Sequence, residues 1–133
     1  MTMVPAWLND IVREFAAGLG LKDFALNSEG AAALRFESGV AFRLEYAMDR
    51  LTLSMSAESP ADVAAAKLLL ASADPLRRGR FVLRTGIIGK PPRAVFAVRL
   101  ESAEVTLGNL DSAMSELWRA MENFRRTRKR KLH

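Results

Sequence analysis

The sequence contains no cysteine. A disulfide framework, a thiolate metal site and a cysteine nucleophile are therefore excluded. Histidine is almost as scarce: the single one, His133, is the last residue. No imidazole is thus held inside the chain as a general base, and no Cys/His set with zinc spacing exists. Glycine-rich phosphate loops of the P-loop or dinucleotide type are missing. No stretch approaches the ~18 uninterrupted apolar residues that a membrane span needs. The first helix-like segment carries acids, so a secretory signal is not expected. Carboxylates are scattered, mostly near bases as in Arg13-Glu14 and Arg43-Glu45, which is the pattern of solvated surface. These absences lead to the expectation of a cytoplasmic-type protein that is not an enzyme and uses no cofactor and no metal.

What is present is an ordinary globular composition, 50% hydrophobic and 26% charged over 133 residues. That is enough chain for one domain with a modest core. The net charge of +5 is unevenly spread. Residues 125–133 hold six Lys or Arg and no acid, so residues 1–124 carry 14 bases against 15 acids, a net of −1. The pI near 10.2 belongs to the end of the chain. The expected organisation is one domain over 1–124 followed by a basic C-terminal tail over 125–133. Only Arg77, Arg78, Arg80 and Arg84 approach a second basic cluster. The tail reads either as a solvated helix end, where cations complement the helix dipole, or as a contact for nucleic acid, lipid or an acidic partner.

Periodicity supplies the elements. Residues 5–18 read as an amphipathic helix with Pro5 in its first turn, Leu8, Ile11, Val12 and Phe15 on one face, and Gly18 and Gly20 at its end. Three stretches then alternate with period two: AALRFESG, VAFRLEYAM and LTLSMSA. Separated by Ser38-Gly39 and Asp49-Arg50, they make an antiparallel meander with one apolar face that needs a cover. Ser59-Pro60-Ala61-Asp62 reads as a helix start, with Ser59 as cap. In the helix that follows, VAAAKLLLASA, Lys67 is the sole charge. A helix apolar nearly all round is buried on more than one side; the cover is either its own domain or a second subunit. Phe81–Arg84 and Ala94–Leu100 read as two further strands joined by a loop, TGIIGKPPR. Ile87 and Ile88 at the tip of that loop are either tucked onto the fold or offered to a partner. Asn109 is placed to cap a last helix whose seam is Leu110, Met114, Leu117, Met121 and Phe124, with Trp118 beside it. The fold class is α+β: a five-stranded antiparallel sheet with three helices in the order α-βββ-α-ββ-α.

These segments resemble a known family. WLNDIVREFAAGLGL, the meander ALRFESGVAFRLEYAMDRLTLSM, the nearly uncharged second helix and TGIIGKPPRAVFAVRLESAEVTLGNLDSAMSELWRAM are similar to the class I chaperones of bacterial type III secretion, with their CesT/SycE-like fold. The last segment is most like the SycN-type branch, which escorts a gatekeeper of the export channel. The basic end departs from the family, whose members are usually acidic. The resemblance implies a bacterial cytoplasmic chaperone that holds the N-terminal segment of a secreted effector or gatekeeper non-globular and delivers it for export, without ATP. It also implies a homodimer, or a heterodimer with a related chaperone, through Val63, Leu68, Leu70, Ala71, Phe81 and Leu83. Client contacts are expected at Trp7, and on one face of a strand apolar on both faces, at Val95 or at Phe96 and Val98. The alternative is a small nucleic-acid-binding protein that works through its basic tail.

Overall fold

Alternation decides which side of each strand is apolar, and pairing brings those sides into register. The computed structural model describes residues 3–74 and 79–131, with the backbone alone described for Arg130 and Lys131. In chain order the elements are α1 (Ala6–Gly18), β1 (Ala31–Arg35), β2 (Ala41–Ala47), β3 (Arg50–Glu58), α2 (Val63–Ser72), β4 (Arg84–Ile88), β5 (Arg93–Glu101), a 3-10 turn (Ser102–Glu104) and α3 (Leu107–Lys131). The sheet order is β1-β2-β3-β5-β4, antiparallel at every step. This is the α+β architecture that the periodicity predicts.

One row of paired residues crosses all five strands: Leu34, Phe42, Met55, Phe96 and Thr85. Beside it run Ala32, Leu44, Leu53 and Val98. Phe42, Leu44, Leu53, Met55, Phe96 and Val98 are at most 1% exposed, in one cluster with Leu8, Val12 and Phe15 of α1 and Leu110, Leu117, Met121 and Phe124 of α3. Phe15 meets Phe42 at 6.3 Å between ring centres, and Phe124 meets Phe96 edge-on at 5.7 Å. The opposite face carries the rows Ala33, Arg43, Ser54, Ala97, Arg84 and Arg35, Ala41, Ser56, Val95, Gly86, all exposed or half-buried. The sheet is one-sided.

Local chemistry sets the boundaries. Pro5 is the N-cap of α1 rather than its first helical residue. The helix closes with Gly20 at φ +80, its N–H donating to the Ala17 carbonyl at 3.0 Å while the Leu21 N–H reaches the Ala16 carbonyl at 3.0 Å. Only glycine adopts that conformation at no steric cost. The β2–β3 hairpin turns on Met48 and Asp49, both at positive φ. This is the twist a two-residue hairpin requires, although neither residue is glycine. The Tyr46 hydroxyl donates to the Asp49 carboxylate at 3.2 Å, and the Ser102 N–H and hydroxyl hold the Asp49 carbonyl at 3.0 and 2.8 Å.

Three expectations shift, while the last helix runs into the basic end as its reading as a helix end has it. The cap of α2 is Asp62, whose Oδ1 accepts the Ala65 N–H at 2.8 Å; Ser59, just past the end of β3, instead donates its N–H to the Pro92 carbonyl. The cap of α3 is Thr106, whose hydroxyl accepts the Asn109 N–H at 3.1 Å, while the Asn109 side chain donates to the Glu104 carbonyl. β4 lies later than Phe81–Arg84 and takes in the first four residues of the expected loop, Thr85–Ile88, leaving Gly89–Pro92 as the turn. Gly86 is tolerated because β4 is an edge strand, and β-branched Ile87 and Ile88 favour extension. α3 continues without a break past residue 124 to Lys131. Pro75, Arg77, Arg78, Leu132 and His133 lie outside the described residues.

The extension of α3 is tied to the domain. Arg128 Nη1 and Nη2 donate to the Asp62 carboxylate oxygens at 2.9 and 3.1 Å, and Arg125 Nη2 donates to the Ser38 carbonyl at 3.0 Å. The Arg128 hydrogen bond first, then that of the Ala65 amide, holds the Asp62 carboxyl below its ordinary pKa of 3.8. A depressed pKa means that the contribution is complete above the unfolded value and is lost as pH falls through the folded one. Protection of the Ala65 amide from hydrogen exchange, corrected for the intrinsic rate, should therefore hold from pH 7 to about 4 and drop below it; loss beginning near pH 6 would contradict this ion pair.

The faces of β5 make a second prediction. Phe96→Ala should destabilise the fold by about 3–5 kcal/mol in denaturant unfolding, whereas Val95→Ala on the open face should cost less than about 1 kcal/mol.

Candidate partner-binding surfaces

Two places retain apolar side chains that the core does not absorb. The first is the edge formed by α2 and β4. Ala65 and Leu69 point into the core, and the Leu69 carbonyl accepts the Thr85 hydroxyl at 3.0 Å, which lays α2 along β4. On the outer side Val63 is 70% and Leu70 73% exposed, and Ala71 is exposed too. Leu68 and Phe81 are half-buried against the core, and Leu83 is buried. Of the six residues expected at a subunit contact, three are therefore at the surface, two partly so, and Leu83 is within the domain. Val82, exposed at 79%, was not among them, and Ile88, one of the two loop-tip residues with both alternatives open, is 64% exposed. Reading Phe81–Arg84 as a strand put the emphasis on its inward residues, and reading Ile88 as a loop tip hid its place on an edge strand. Ile87 packs on the core, as the tucked alternative has it, while Ile88 lies at the surface.

The second place is a groove of about 730 Å³ lined by Leu19, Phe36, Asp111, Met114, Ser115, Trp118 and Arg119. The Schellman turn at the end of α1 turns Leu19 outward, 42% exposed. Phe36, just past β1, stands edge-on to Trp118 at 5.3 Å and 77°. The Trp118 indole N–H donates to the Glu122 carboxylate at 2.7 Å one turn along. That bond leaves the ring face apolar and its polar atom satisfied. The floor is therefore apolar, and the rim carries the Asp111 carboxylate, the Arg119 guanidinium and the Ser115 hydroxyl. Sequence reasoning placed Met114 and Trp118 in the core seam. The signal against this was the width of the seam: Ala113 is the residue fully buried there, which rotates Met114 and Trp118 toward the edge.

Of the expected client contacts, Trp7 is 42% exposed on α1 and Val95 is half-buried on the open sheet face. Phe96 and Val98 are 0% exposed and face the domain's own helices, so the expectation that they contact a client is corrected. The helices cover the side of the sheet opposite to Val95, so Trp7 and Val95 are not brought together. Among the described residues there is no group of three or more His, Cys, Asp or Glu close enough to hold a metal ion, and no helix long and apolar enough to cross a membrane.

A family model described as the Tir chaperone protein (CesT) family matches residues 10–125. This chain belongs to that family. No curated protein sequence matches it at significance. Among solved structures, one in the ExsC–ExsE complex superposes with a TM-score of 0.76 at 21% identity, covering 94% of this chain and 96% of the other. One in the HopA1–SchA chaperone–effector complex gives 0.72 at 19%, covering 93% and 99%. One in the complex of the Yersinia pestis type III secretion chaperone SycH with a stable fragment of YscM2 gives 0.64 at 19%, covering 86% and 98%. CesT-family membership makes this a type III secretion chaperone by family, and the superpositions establish the fold.

Trp118 offers a direct probe of the groove in this CesT-family chain. In a Trp7→Phe background, Phe36→Ala should shift Trp118 emission to longer wavelength as water reaches the ring, with the far-ultraviolet circular dichroism unchanged. An unmoved emission maximum would mean that Phe36 does not shield the indole.

Proposed function

We propose that this protein is a bacterial cytoplasmic chaperone of type III secretion that binds the N-terminal segment of a secreted effector or gatekeeper, holds it non-globular and targets it to the export apparatus. The observation that carries the reading is the apolar groove of Leu19, Phe36, Met114 and Trp118 on a CesT-family fold. An extended client segment can bury apolar side chains there. β1 is an edge strand next to it, so the client backbone has a strand to pair with. Such binding conceals the client's apolar residues from aggregation and requires neither covalent chemistry nor nucleotide. The resemblance of residues 85–121 to the SycN-type branch favours a gatekeeper as client.

The protein works as a pair of subunits in this reading, with itself or with a related chaperone. Val63, Leu70, Ala71, Val82 and Ile88 form the contact, and Leu68, Phe81 and Leu83 support it from below. Stable interfaces bury about 1,200–2,000 Å² in total around a few apolar anchors. Exposed leucine and valine on a nearly uncharged helix supply such anchors.

Co-expression with candidate secreted proteins encoded near an export apparatus should yield a co-purifying complex. Leu19→Asp combined with Met114→Asp should abolish it without loss of fold. Leu70→Glu should weaken subunit association at least about tenfold by sedimentation, since it leaves a charge in an apolar contact. A free protein under every pairing would overturn the reading. The nucleic-acid alternative requires salt-dependent binding that disappears on deleting residues 125–133; no binding is expected.

A further inference from the structure

The apolar seam of α3 steps from Leu110 through Leu117 and Met121 to Phe124, all buried. Continuing the steps of four and three brings the seam to Arg128. A helix end with nothing to pack against frays, yet α3 continues to Lys131 and Arg125, Thr127 and Arg128 are half-buried. The Arg128 side chain is only 14% exposed. Its methylene stem thus prolongs the seam, and its guanidinium reaches the carboxylate that caps α2.

We infer that the basic end of α3 is a brace, not a free tail: through Arg128 on Asp62 and Arg125 on Ser38 it sets the position of α2, and with it the outer face that meets a second subunit. The second half rests on the two-subunit reading above.

Asp62 does two things at once. Its Oδ1 accepts both the Ala65 N–H at 2.8 Å and Arg128 Nη1 at 2.9 Å, and its Oδ2 accepts Arg128 Nη2 at 3.1 Å. The bidentate fork orients the carboxylate, and the oriented carboxylate fixes the first turn of α2. That helix has few other polar ties. The Thr85 hydroxyl holds its Leu69 carbonyl, and the Ser72 hydroxyl bonds back to the Leu68 carbonyl within the helix. Val63, the first helical residue after Asp62, is also one of the exposed apolar side chains. A shift of the cap therefore moves the outer face directly.

The other anchor lies across α3. Arg125 Nη2 donates to the Ser38 carbonyl, and Arg93 Nη2 donates to the next carbonyl, Gly39, at 3.2 Å. Ser38 lies two residues beyond Phe36, a wall of the groove. The brace therefore ties the β1–β2 turn on one side of α3 to the start of α2 on the other. The Asp62 end of the ion pair is about half exposed, so salt weakens it.

The test uses the full-length protein with Arg128→Ala, Asp62→Asn and the double variant. Asparagine caps a helix as well as aspartate does, so Asp62→Asn removes the charge pair and keeps the cap. Each single variant should speed hydrogen exchange at the Ala65 and Ala66 amides and raise the subunit dissociation constant by about two- to fivefold, the size of effect one partly exposed ion pair gives. The double variant should be no worse than either single one, because both remove the same contact. Arg128→Lys should recover part of the loss, since an ammonium does not make the fork. Unchanged exchange in Arg128→Ala would overturn the brace. Faster exchange with an unchanged dissociation constant would overturn its link to the subunit face. A wild-type protein monomeric at every concentration would refute the two-subunit reading and the link together, and the exchange result would then decide the brace alone.

Discussion

Everything else in this protein depends on the one-sidedness of its sheet. β3 sits at the centre, and Leu53 and Met55 are flanked by Leu44 and Phe42 on one side and Val98 and Phe96 on the other. These side chains point to the face that α1 and α3 cover, and the other face is mostly Ser, Thr, Ala and Arg, with Val95 among them. A chain of 133 residues has enough apolar surface for one such layer pair and no more. Much of the apolar surface that the layer pair does not absorb is presented outward, along α2 and β4 and between α1 and α3. The binding surfaces are consequences of the way the core closes.

That constraint explains what the residue pattern reveals. Where an element has one wet and one dry side, period alone identifies it, as in α1 and the three strands of the meander. Where both sides are apolar, period carries no directional information. β5 reads RAVFAVRLE, and only pairing shows that Phe96 and Val98 are inside and Val95 outside. The same ambiguity holds in α2, whose inward residues are Ala65 and Leu69 rather than its larger neighbour Leu70. Boundaries failed for a different reason. Ser59 and Asn109 are both good caps in isolation, but the Ser59 backbone is held by the Pro92 carbonyl in the neighbouring strand's turn, and the Asn109 side chain is turned back to the Glu104 carbonyl five residues earlier. The groove was illegible because its wall, Phe36, and its floor, Trp118, are far apart in the chain and meet only once the sheet and α3 have docked.

The basic end shows how a charge count can mislead. Six cations in nine residues dominate the pI, yet two of the guanidiniums are satisfied by the domain itself. The net charge of the chain is therefore a poor guide to what its surface offers a polyanion. The two apolar surfaces are the better guide, since among the described residues they keep exposed side chains such as Leu70 and Leu19, and the Trp118 indole N–H is already paired.

The pairing order also bears on how the chain is made. β2 and β3 are joined by a two-residue turn, so that hairpin forms early; β5 reaches β3 only after a long excursion through α2 and β4, bringing Arg93 to Glu58 and Glu101 to Arg50. Non-local closure of this kind is slow and leaves a strand edge unguarded meanwhile. During that interval the growing chain has the central strand bare on one side and its oiliest helix still undocked. A chain with this pairing order thus passes through a clumping-prone stage of its own on the ribosome, and the speed with which its last strand and final helix arrive determines how much of it survives synthesis.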